Sequence, residues 1–224
     1  MPQLNDTIHL DMHKAKTSRR SFASRLKNAV KVLMLKDDMY GLEWGDPEQN
    51  PPLKYVRDHL TPYVTPQKTI VEIGPGGGRW TRYMLHARTI YAVDYHQELL
   101  DELKMHLDSR NIVFIKNNGT DFPNIPNESV DFLFSFGVFV HLDIDLIKPY
   151  LQNIKTLLKP GSNVVIQYSD KTKPLAKSNQ GFSENDPDTM RKLILSAGYV
   201  IYEEDTKTMW HSSIVRFGVS ESST

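Results

Sequence analysis

The sequence predicts an α/β fold with a doubly wound, mostly parallel β-sheet. Short apolar runs alternate along the chain with segments of helical periodicity, which is the pattern of a sheet covered by helices. The run VDFLFSF at 130–136 is rich in β-forming residues, as a central parallel strand should be. Another run, 69–73, passes into a glycine-rich turn before a helical pattern begins. At 224 residues, with 39% hydrophobic and 24% charged residues, one three-layered domain is the simplest arrangement.

Composition narrows the class of protein. The chain has no cysteine, which removes disulfides, thiolate metal sites and cysteine nucleophiles and favours a reducing, cytoplasmic location. The first residues lack a basic region followed by an apolar core, and the longest apolar-rich run, Val130 to Leu142, is too short to span a bilayer. We therefore expect no transmembrane segment.

The N-terminal arm is basic. Residues 11–36 hold eight Lys or Arg and one Asp, and apolar residues recur at helical spacing from Ser18 to Lys36. Such a helix can bind an anionic polymer or a membrane surface, but we favour a helix that covers the core, with no nucleic-acid partner. We divide the chain into an N-terminal helical arm with a lid loop at 1–52 and one globular domain at 53–224. Substitution Leu26→Asp should then lower the melting temperature, and deletion of residues 1–17 should leave ligand binding intact.

The remaining elements follow from periodicity and from turn residues. A helix with its apolar residues inward begins after Pro51 and Pro52, and Asp186 followed by Pro187 predicts a helix start. A KPG sequence is expected to close the helix that contains Pro149, which kinks or restarts there. The predicted helices are 53–63, 79–86, 96–107, 145–158 and 187–198; the predicted strands are 69–73, 89–93, 112–116, 130–136, 163–168, 199–204 and 212–218, with a long polar loop at 169–185.

The glycine-rich turn distinguishes two kinds of nucleotide site. A dinucleotide fingerprint requires a third glycine at position 79, which is Arg79, so that fingerprint fails. An acidic residue followed by GxGxG is present instead, formed by Glu72, Gly74, Gly76 and Gly78. This sequence resembles the first motif of the class I S-adenosylmethionine (SAM) dependent methyltransferases. The resemblance implies that the turn lies near the amino acid end of SAM and that Glu72 helps hold its ammonium group.

Asp94, at the end of the second predicted strand, is the candidate ribose ligand. A carboxylate at this place in Rossmann-like folds can accept hydrogen bonds from both hydroxyls of a ribose. The alternative is that Asp94 caps the next helix. The resemblance implies in addition that Tyr95 stacks on the adenine.

The stretch NNGTDFP after the third strand resembles the family's GDAxDLP motif. Asn118 takes the place of the usual acidic residue, and its carbonyl can accept from the adenine amino group without charge assistance. Gly119 and Thr120 then offer backbone groups, although a plain turn remains an alternative. Strand four resembles the fourth motif and places Phe136 near the methionine portion of SAM.

The family architecture supplies the candidate catalytic residues. Its sheet has seven strands, with the last strand antiparallel between the fifth and sixth, and the resemblance covers roughly Leu53 to Gly218. The turn between strands six and seven then lies on the SAM face and brings His211 and Trp210 to the acceptor. His141 is either a packing residue or the catalytic base. Trp44 and Asp46 are expected to close from the other side as a lid.

The resulting hypothesis is a SAM-dependent methyltransferase that methylates a hydroxyl of a small molecule or saccharide with help from a histidine base. A hydroxyl must lose its proton as it attacks, whereas a neutral amine needs no base. Three alternatives stay open: an N-methyltransferase, an aminopropyl-type transferase, and a non-catalytic SAM-binding partner subunit. No cluster of acidic ligands suggests a metal, and the sequence leaves the oligomeric state open.

Overall fold

The computed structural model describes residues 45–220. The basic helix predicted at 18–36, Leu26 and Trp44 lie outside the described residues. The elements, in chain order, are α1 Pro51–Leu60, β1 Thr69–Ile73, β2 Thr89–Asp94, α2 Gln97–His106, β3 Ile112–Lys116, β4 Val130–Ser135, α3 Ile144–Leu157, β5 Leu158–Ser169, α4 Pro174–Ser178, α5 Pro187–Ser196, β6 Val200–Asp205 and β7 Ser212–Gly218. Short 3₁₀ helices occupy Thr61–Tyr63, Thr81–Tyr83 and Phe139–His141.

The strands form one seven-stranded sheet in the order β3-β2-β1-β4-β5-β7-β6. All neighbours from β3 to β5 are parallel, and β7 is antiparallel to both β5 and β6. The predicted insertion of the last strand between the fifth and sixth is confirmed. The parallel strands therefore end at the same edge of the sheet as β7 begins, because β7 runs in the opposite direction.

Two apolar cores cover the two faces of the sheet. The first core packs α3 and α5 against inward residues such as Val71, Leu133 and Ile166. The second core packs α1 and α2 against the alternate residues, such as Ile70, Phe134 and Val165. The central strand β1 is buried along its whole length because both of its faces are covered.

Helix α1 begins earlier than predicted. Asn50 is its N-cap and accepts a hydrogen bond from the Leu53 amide at 3.5 Å, and Pro51 and Pro52 occupy the first turn. Proline fits there because the first helical amides have no partner within the helix. The helix thus begins inside the segment that the sequence assigned to the arm.

The segment after the glycine turn is not the predicted helix at 79–86. It forms successive tight turns and one 3₁₀ helix, closed by hydrogen bonds from Tyr83 to Trp80 and from Met84 to Thr81. Aromatic and β-branched residues are poor helix formers, and burial of Trp80 and Met84 fixes these turns against the second core.

Three further boundaries differ from prediction. Helix α3 continues without interruption through Pro149 and ends at Leu157. The KPG sequence does not close it but belongs to β5, where Gly161 has φ +75° beside a register shift against β4. The loop at 169–185 contains α4, which starts at Pro174.

The predicted Asp186 cap of α5 is confirmed, since Asp186 accepts from the Thr189 amide at 2.8 Å.

No helix within residues 45–220 is long and apolar enough to cross a membrane.

Candidate functional site

The glycine turn leaves β1 at the carboxyl edge of the sheet. Gly74, Gly76 and Gly78 all have positive φ, at +72°, +53° and +86°. A Cβ at Gly74 would collide with Val138, and one at Gly78 would come within 2.6 Å of Leu103. Two of the three glycines are therefore required by backbone conformation and by packing within the protein, whatever ligand lies against the turn.

Glu72 lies in β1 with only 1% of its surface exposed. The Thr81 hydroxyl donates a 2.5 Å hydrogen bond to Glu72 Oε2, which ties the strand to the 3₁₀ helix after the turn. Burial raises the pKa of Glu72 to about 8, with a further contribution from Asp94, although the Thr81 hydrogen bond opposes the change. An approaching cation would lower this pKa again and favour loss of the carboxyl proton.

Asp94 ends β2, beside β1, and is 7% exposed. Its Oδ1 accepts a 2.8 Å hydrogen bond from the His96 amide, while the N-cap of α2 is His96, which makes no side-chain cap. Asp94 therefore does not cap α2 in the usual way. Burial raises its pKa to about 7 despite the hydrogen bonds from His96 and Tyr95 and the charge of Lys116.

The loop after β3 is shaped by a residue that the sequence reasoning missed. Asn117 is buried; its Nδ2 donates to Tyr150 Oη at 3.0 Å and to the Asp121 carbonyl at 3.2 Å, and its Oδ1 accepts from the Gly119 amide. Because Asn117 and Asn118 are adjacent and of the same type, the sequence alone did not show which of them is buried and which is exposed. Asn117 fixes the loop, and Asn118 is exposed.

Asn118 Oδ1 accepts hydrogen bonds from the amides of Thr120 and Asp121, at 3.1 and 3.3 Å. The carbonyl predicted to read adenine is thus already engaged within its own turn. The half-exposed ring of Tyr95 lies over Gly119, where an added Cβ would be 3.7 Å from the ring. Tyr95 and the loop at 118–120 therefore lie side by side next to Asp94.

Past the end of β4, Phe136 packs against Trp80, with ring centroids 5.3 Å apart. The Gly137 amide donates to Gln167 Oε1 at 2.9 Å, and Gln167 Nε2 donates to Ser212 Oγ at 2.7 Å. Gln167 is buried in β5 and links the ends of three strands. The sequence gave no indication of this role, because it depends on the insertion of β7 beside β5.

His211 immediately precedes β7 at the same edge. Its Nδ1 is buried and has no hydrogen-bond partner among the described residues. Burial and the nearby charge of Lys173 lower its pKa to about 4, so the ring is neutral at physiological pH. A buried ring nitrogen without a partner is costly in the free protein and is available to a ligand.

Lys173 and Asp170 hold the backbone around His211. Lys173 Nζ donates to the carbonyls of Met209 and Ser212, at 2.8 and 2.6 Å, and lies 3.5 Å from Asp170 Oδ2. Asp170 is buried and also accepts from the Ser213 hydroxyl at 2.7 Å. These contacts fix the turn before β7 to the loop after β5.

The other residues predicted to contact the acceptor differ in their burial and in their contacts. Phe182 lies between the rings of His141 and His211, with centroid distances of 5.4 and 5.1 Å, so the two histidines share one aromatic neighbour. His141 Nδ1 is 2.9 Å from the Gly181 carbonyl and must carry its hydrogen to donate there. Trp210 is 70% exposed next to His211, and Asp46 is exposed, with Oδ1 accepting from the Glu48 amide.

These residues fit SAM by the chemistry of their side chains. Asp94 is the last residue of β2 and Glu72 the second-last residue of the adjacent β1, and alternation along each strand turns both toward the second core face. They offer buried carboxyl oxygens, which suit a positively charged ligand that also carries a ribose diol. Among the described residues no group of three His, Cys, Asp or Glu is placed to hold a metal ion.

The sequence matches the model of the methyltransferase domain family over residues 71–166, from β1 into β5. The matched part contains the glycine turn, both buried carboxylates and the loop after β3. A search of curated proteins found no significant sequence match.

Solved structures with the same fold include SAM-dependent methyltransferases. One from Mesorhizobium loti is 15% identical with a TM-score of 0.63, covering 77% of this chain and 99% of that chain. One from Aquifex aeolicus is 19% identical with a TM-score of 0.59, covering 85% and 96%. The glycopeptide N-methyltransferase MtfA in complex with SAM is 12% identical with a TM-score of 0.58, covering 74% and 86%.

Proposed function

We propose that the chain is a class I SAM-dependent methyltransferase that transfers the methyl group to a hydroxyl of a small molecule or saccharide, with His211 receiving the hydroxyl proton. The observation that carries this proposal is the buried Nδ1 of His211 at the carboxyl edge of the sheet, which makes no hydrogen bond within residues 45–220. A neutral imidazole nitrogen can accept the hydrogen bond of a hydroxyl and then its proton.

The chain's own residues divide the site into two parts. Glu72 would pair with the ammonium of SAM, Asp94 would accept from its ribose, and Tyr95 with the loop at 118–120 would flank its adenine. The strand order then runs from β2 through β1 and β4 to β5 and β7, so the acceptor belongs at the β5–β7 side. His211, His141 and Trp210 are all on that side, where Trp210 offers an exposed apolar wall for a sugar or aromatic ring.

SAM supplies a methyl group on a positively charged sulfur, which keeps the electron pair of the broken carbon–sulfur bond and becomes a neutral thioether. The acceptor oxygen donates an electron pair to form the new carbon–oxygen bond, and its proton passes to His211 Nδ1 and then to solvent. Orientation alone can contribute several kcal/mol to such a step. With a pKa of about 4, His211 is in the correct protonation state but is a weak base, so its orienting hydrogen bond carries much of its effect.

The test is a methylation assay with radiolabelled SAM over phenols, methyl glycosides, hydroxy acids and matched amines. We expect hydroxyl acceptors to be methylated, and His211→Ala to retain SAM affinity while losing about a hundredfold in turnover. His106→Ala, at the far end of α2, is the control. Methylation of amines alone would contradict the proposed O-methylation. Near-normal turnover in the His211 variant would contradict the role of His211 and leave His141 or Asp46 as the candidate base.

A further inference from the structure

We propose that Ser169 is a second acceptor-binding residue, whose hydroxyl donates a hydrogen bond to the acceptor oxygen while that oxygen's own hydrogen is directed at His211. The inference rests on the proposed function and names the acceptor class more narrowly, as a hydroxyl that must accept one hydrogen bond and donate another. Ser169 is the last residue of β5, and its side chain makes no hydrogen bond with the described part of the chain.

Ser169 has no exposed surface, and its Oγ has no hydrogen-bond partner among residues 45–220. Other buried serines of the described sheet are satisfied. Ser135 donates to the Ile73 carbonyl at 2.9 Å, Ser162 to the Val130 carbonyl at 2.8 Å, and Ser213 to Asp170 at 2.7 Å. A buried hydroxyl without a partner costs stability, so its presence here suggests a partner that arrives from outside.

The placement of Ser169 supports an acceptor role. Val165 belongs to the second core, and side chains alternate along a strand, so Gln167 and Ser169 face the same side as Val165. Glu72 and Asp94 face that side as well, by the same alternation from Ile70 and Ala92. Ser169 therefore ends a strand at the same edge and on the same face as the two carboxylates proposed to hold SAM, but on the acceptor side of β4.

Ser169 also lies next to His211 through the backbone. Its register partner in β7 is Ser212, and the Asp170 amide donates to the His211 carbonyl at 3.3 Å. Ser169 Oγ and His211 Nδ1, two buried polar atoms that make no hydrogen bond with any residue the structure describes, thus belong to adjoining segments that are hydrogen-bonded to each other. One can donate and the other can accept.

A hydroxyl suits this pair better than an amine. Its hydrogen is donated to His211, one oxygen lone pair accepts from Ser169, and the second lone pair stays available to attack the methyl carbon. A neutral amine nitrogen has a single lone pair, and a hydrogen bond from Ser169 would occupy the electrons that the reaction needs. The pair therefore selects oxygen acceptors over nitrogen acceptors of the same shape.

The experiment compares Ser169→Ala with Ser213→Ala, a fully buried serine in the neighbouring strand with an internal hydrogen bond. We expect Ser169→Ala to leave the melting temperature of the free protein unchanged or raised, and Ser213→Ala to lower it. This arm needs no acceptor. An equal loss of melting temperature in both variants would overturn the proposal, because the Ser169 hydroxyl would then have an internal partner.

The second arm uses the hydroxyl acceptors methylated by the wild-type protein. Ser169→Ala should lower kcat/KM by about tenfold, the effect of one hydrogen bond, with an unchanged SAM dissociation constant by calorimetry. Ser169→Cys, which keeps nearly the same shape, covers the case in which the alanine variant misfolds. Unchanged kcat/KM would refute the role of Ser169 alone, whereas wild-type methylation of amines only would refute the proposed O-methylation before any variant is made.

Discussion

Glu72 and Asp94 are the residues for which folding and the proposed binding of SAM make opposite demands. Each is almost fully buried at a strand end, and burial raises the pKa of each carboxyl group, to about 8 and about 7. A buried carboxyl group is disfavoured in its charged form until an opposite charge arrives. In the free protein, burial therefore favours the protonated form of both carboxyl groups. Binding of a cationic ligand would favour loss of these protons.

Asp94→Asn should weaken SAM binding by about 1.5 to 3 kcal/mol, because the amide loses a charge-assisted acceptor while it keeps the shape of the side chain. Titration calorimetry measures the effect. Asp101→Asn is the matched control, since Asp101 is an exposed residue of α2 that accepts from Gln97. Unchanged SAM affinity in a folded Asp94 variant would remove Asp94 from the ribose site.

Much of the proposed SAM half of the site follows from the sequence, and little of the proposed acceptor half does. Glu72 and Asp94 stand at the ends of apolar strands, so their placement at one edge depends only on parallel pairing. Gln167, Ser169 and Lys173 gave no such indication. Their contacts arise because β7 returns beside β5, more than forty residues later in the chain, and no local pattern encodes that pairing.

At the scale of elements, α5 shows how one cap fixes the start of a helix. Asp186 accepts from the Thr189 amide at 2.8 Å and from the Thr189 hydroxyl at 3.0 Å, and Pro187 starts the helix. Gly198, with φ +78°, follows its last turn. An N-cap aspartate followed by proline, and a glycine after the last turn, can be recognised in the sequence, and the helix begins where it was predicted to begin.

Asp186→Ala should lower the free energy of unfolding by about 1 kcal/mol, because the first turn of α5 loses its side-chain acceptor. Chemical denaturation measures this change. In contrast, Asp188→Ala, which removes an exposed ion pair with Arg191 in the same helix, should cost much less. A larger loss at Asp188 than at Asp186 would mean that charge, and not capping, holds the start of α5.

The elements that the sequence mispredicted share one physical cause. The segment 79–86 and the start of β5 both contain residues whose conformation is set by burial against the sheet and not by local preference. Trp80 and Met84 are drawn into the second core, and Leu158 into the first. Strands β1, β3 and β7 were predicted with the bounds they have, because each is an apolar run between turn residues.

For the whole molecule, the raised pKa values predict that the free protein loses stability as pH rises. Between its ordinary pKa of 4.5 and about 8, Glu72 keeps a proton in the folded state that the unfolded state has lost, and Asp94 does the same between 3.8 and about 7. The folded state binds more protons in this range, so the free energy of unfolding falls with increasing pH, by up to about 1.4 kcal/mol per pH unit for each linked proton. Denaturant unfolding of the free protein from pH 5 to 8.5 measures the slope.

Addition of SAM should reverse much of this decline, because its positive charge favours both carboxylates in their charged form. We expect SAM affinity to increase from pH 6 to 8.5 and binding to release protons, which calorimetry in buffers of different ionisation enthalpy detects. Glu72→Gln should flatten both pH dependences, be more stable than the wild type at pH 8.5 without SAM, and gain less from SAM. A wild-type slope of zero, or one of opposite sign, would contradict the buried-carboxylate interpretation.

The insertion of β7 affects how the chain can fold while it is being synthesised on the ribosome. β5 pairs with β4 on one side, but its other edge accepts β7, which begins at Ser212. Until those late residues emerge, the nascent chain presents a twelve-residue strand with an unpaired edge, the kind of surface through which chains aggregate. Nascent chains stalled before Ser212 should therefore depend on chaperones far more than chains released after Gly218.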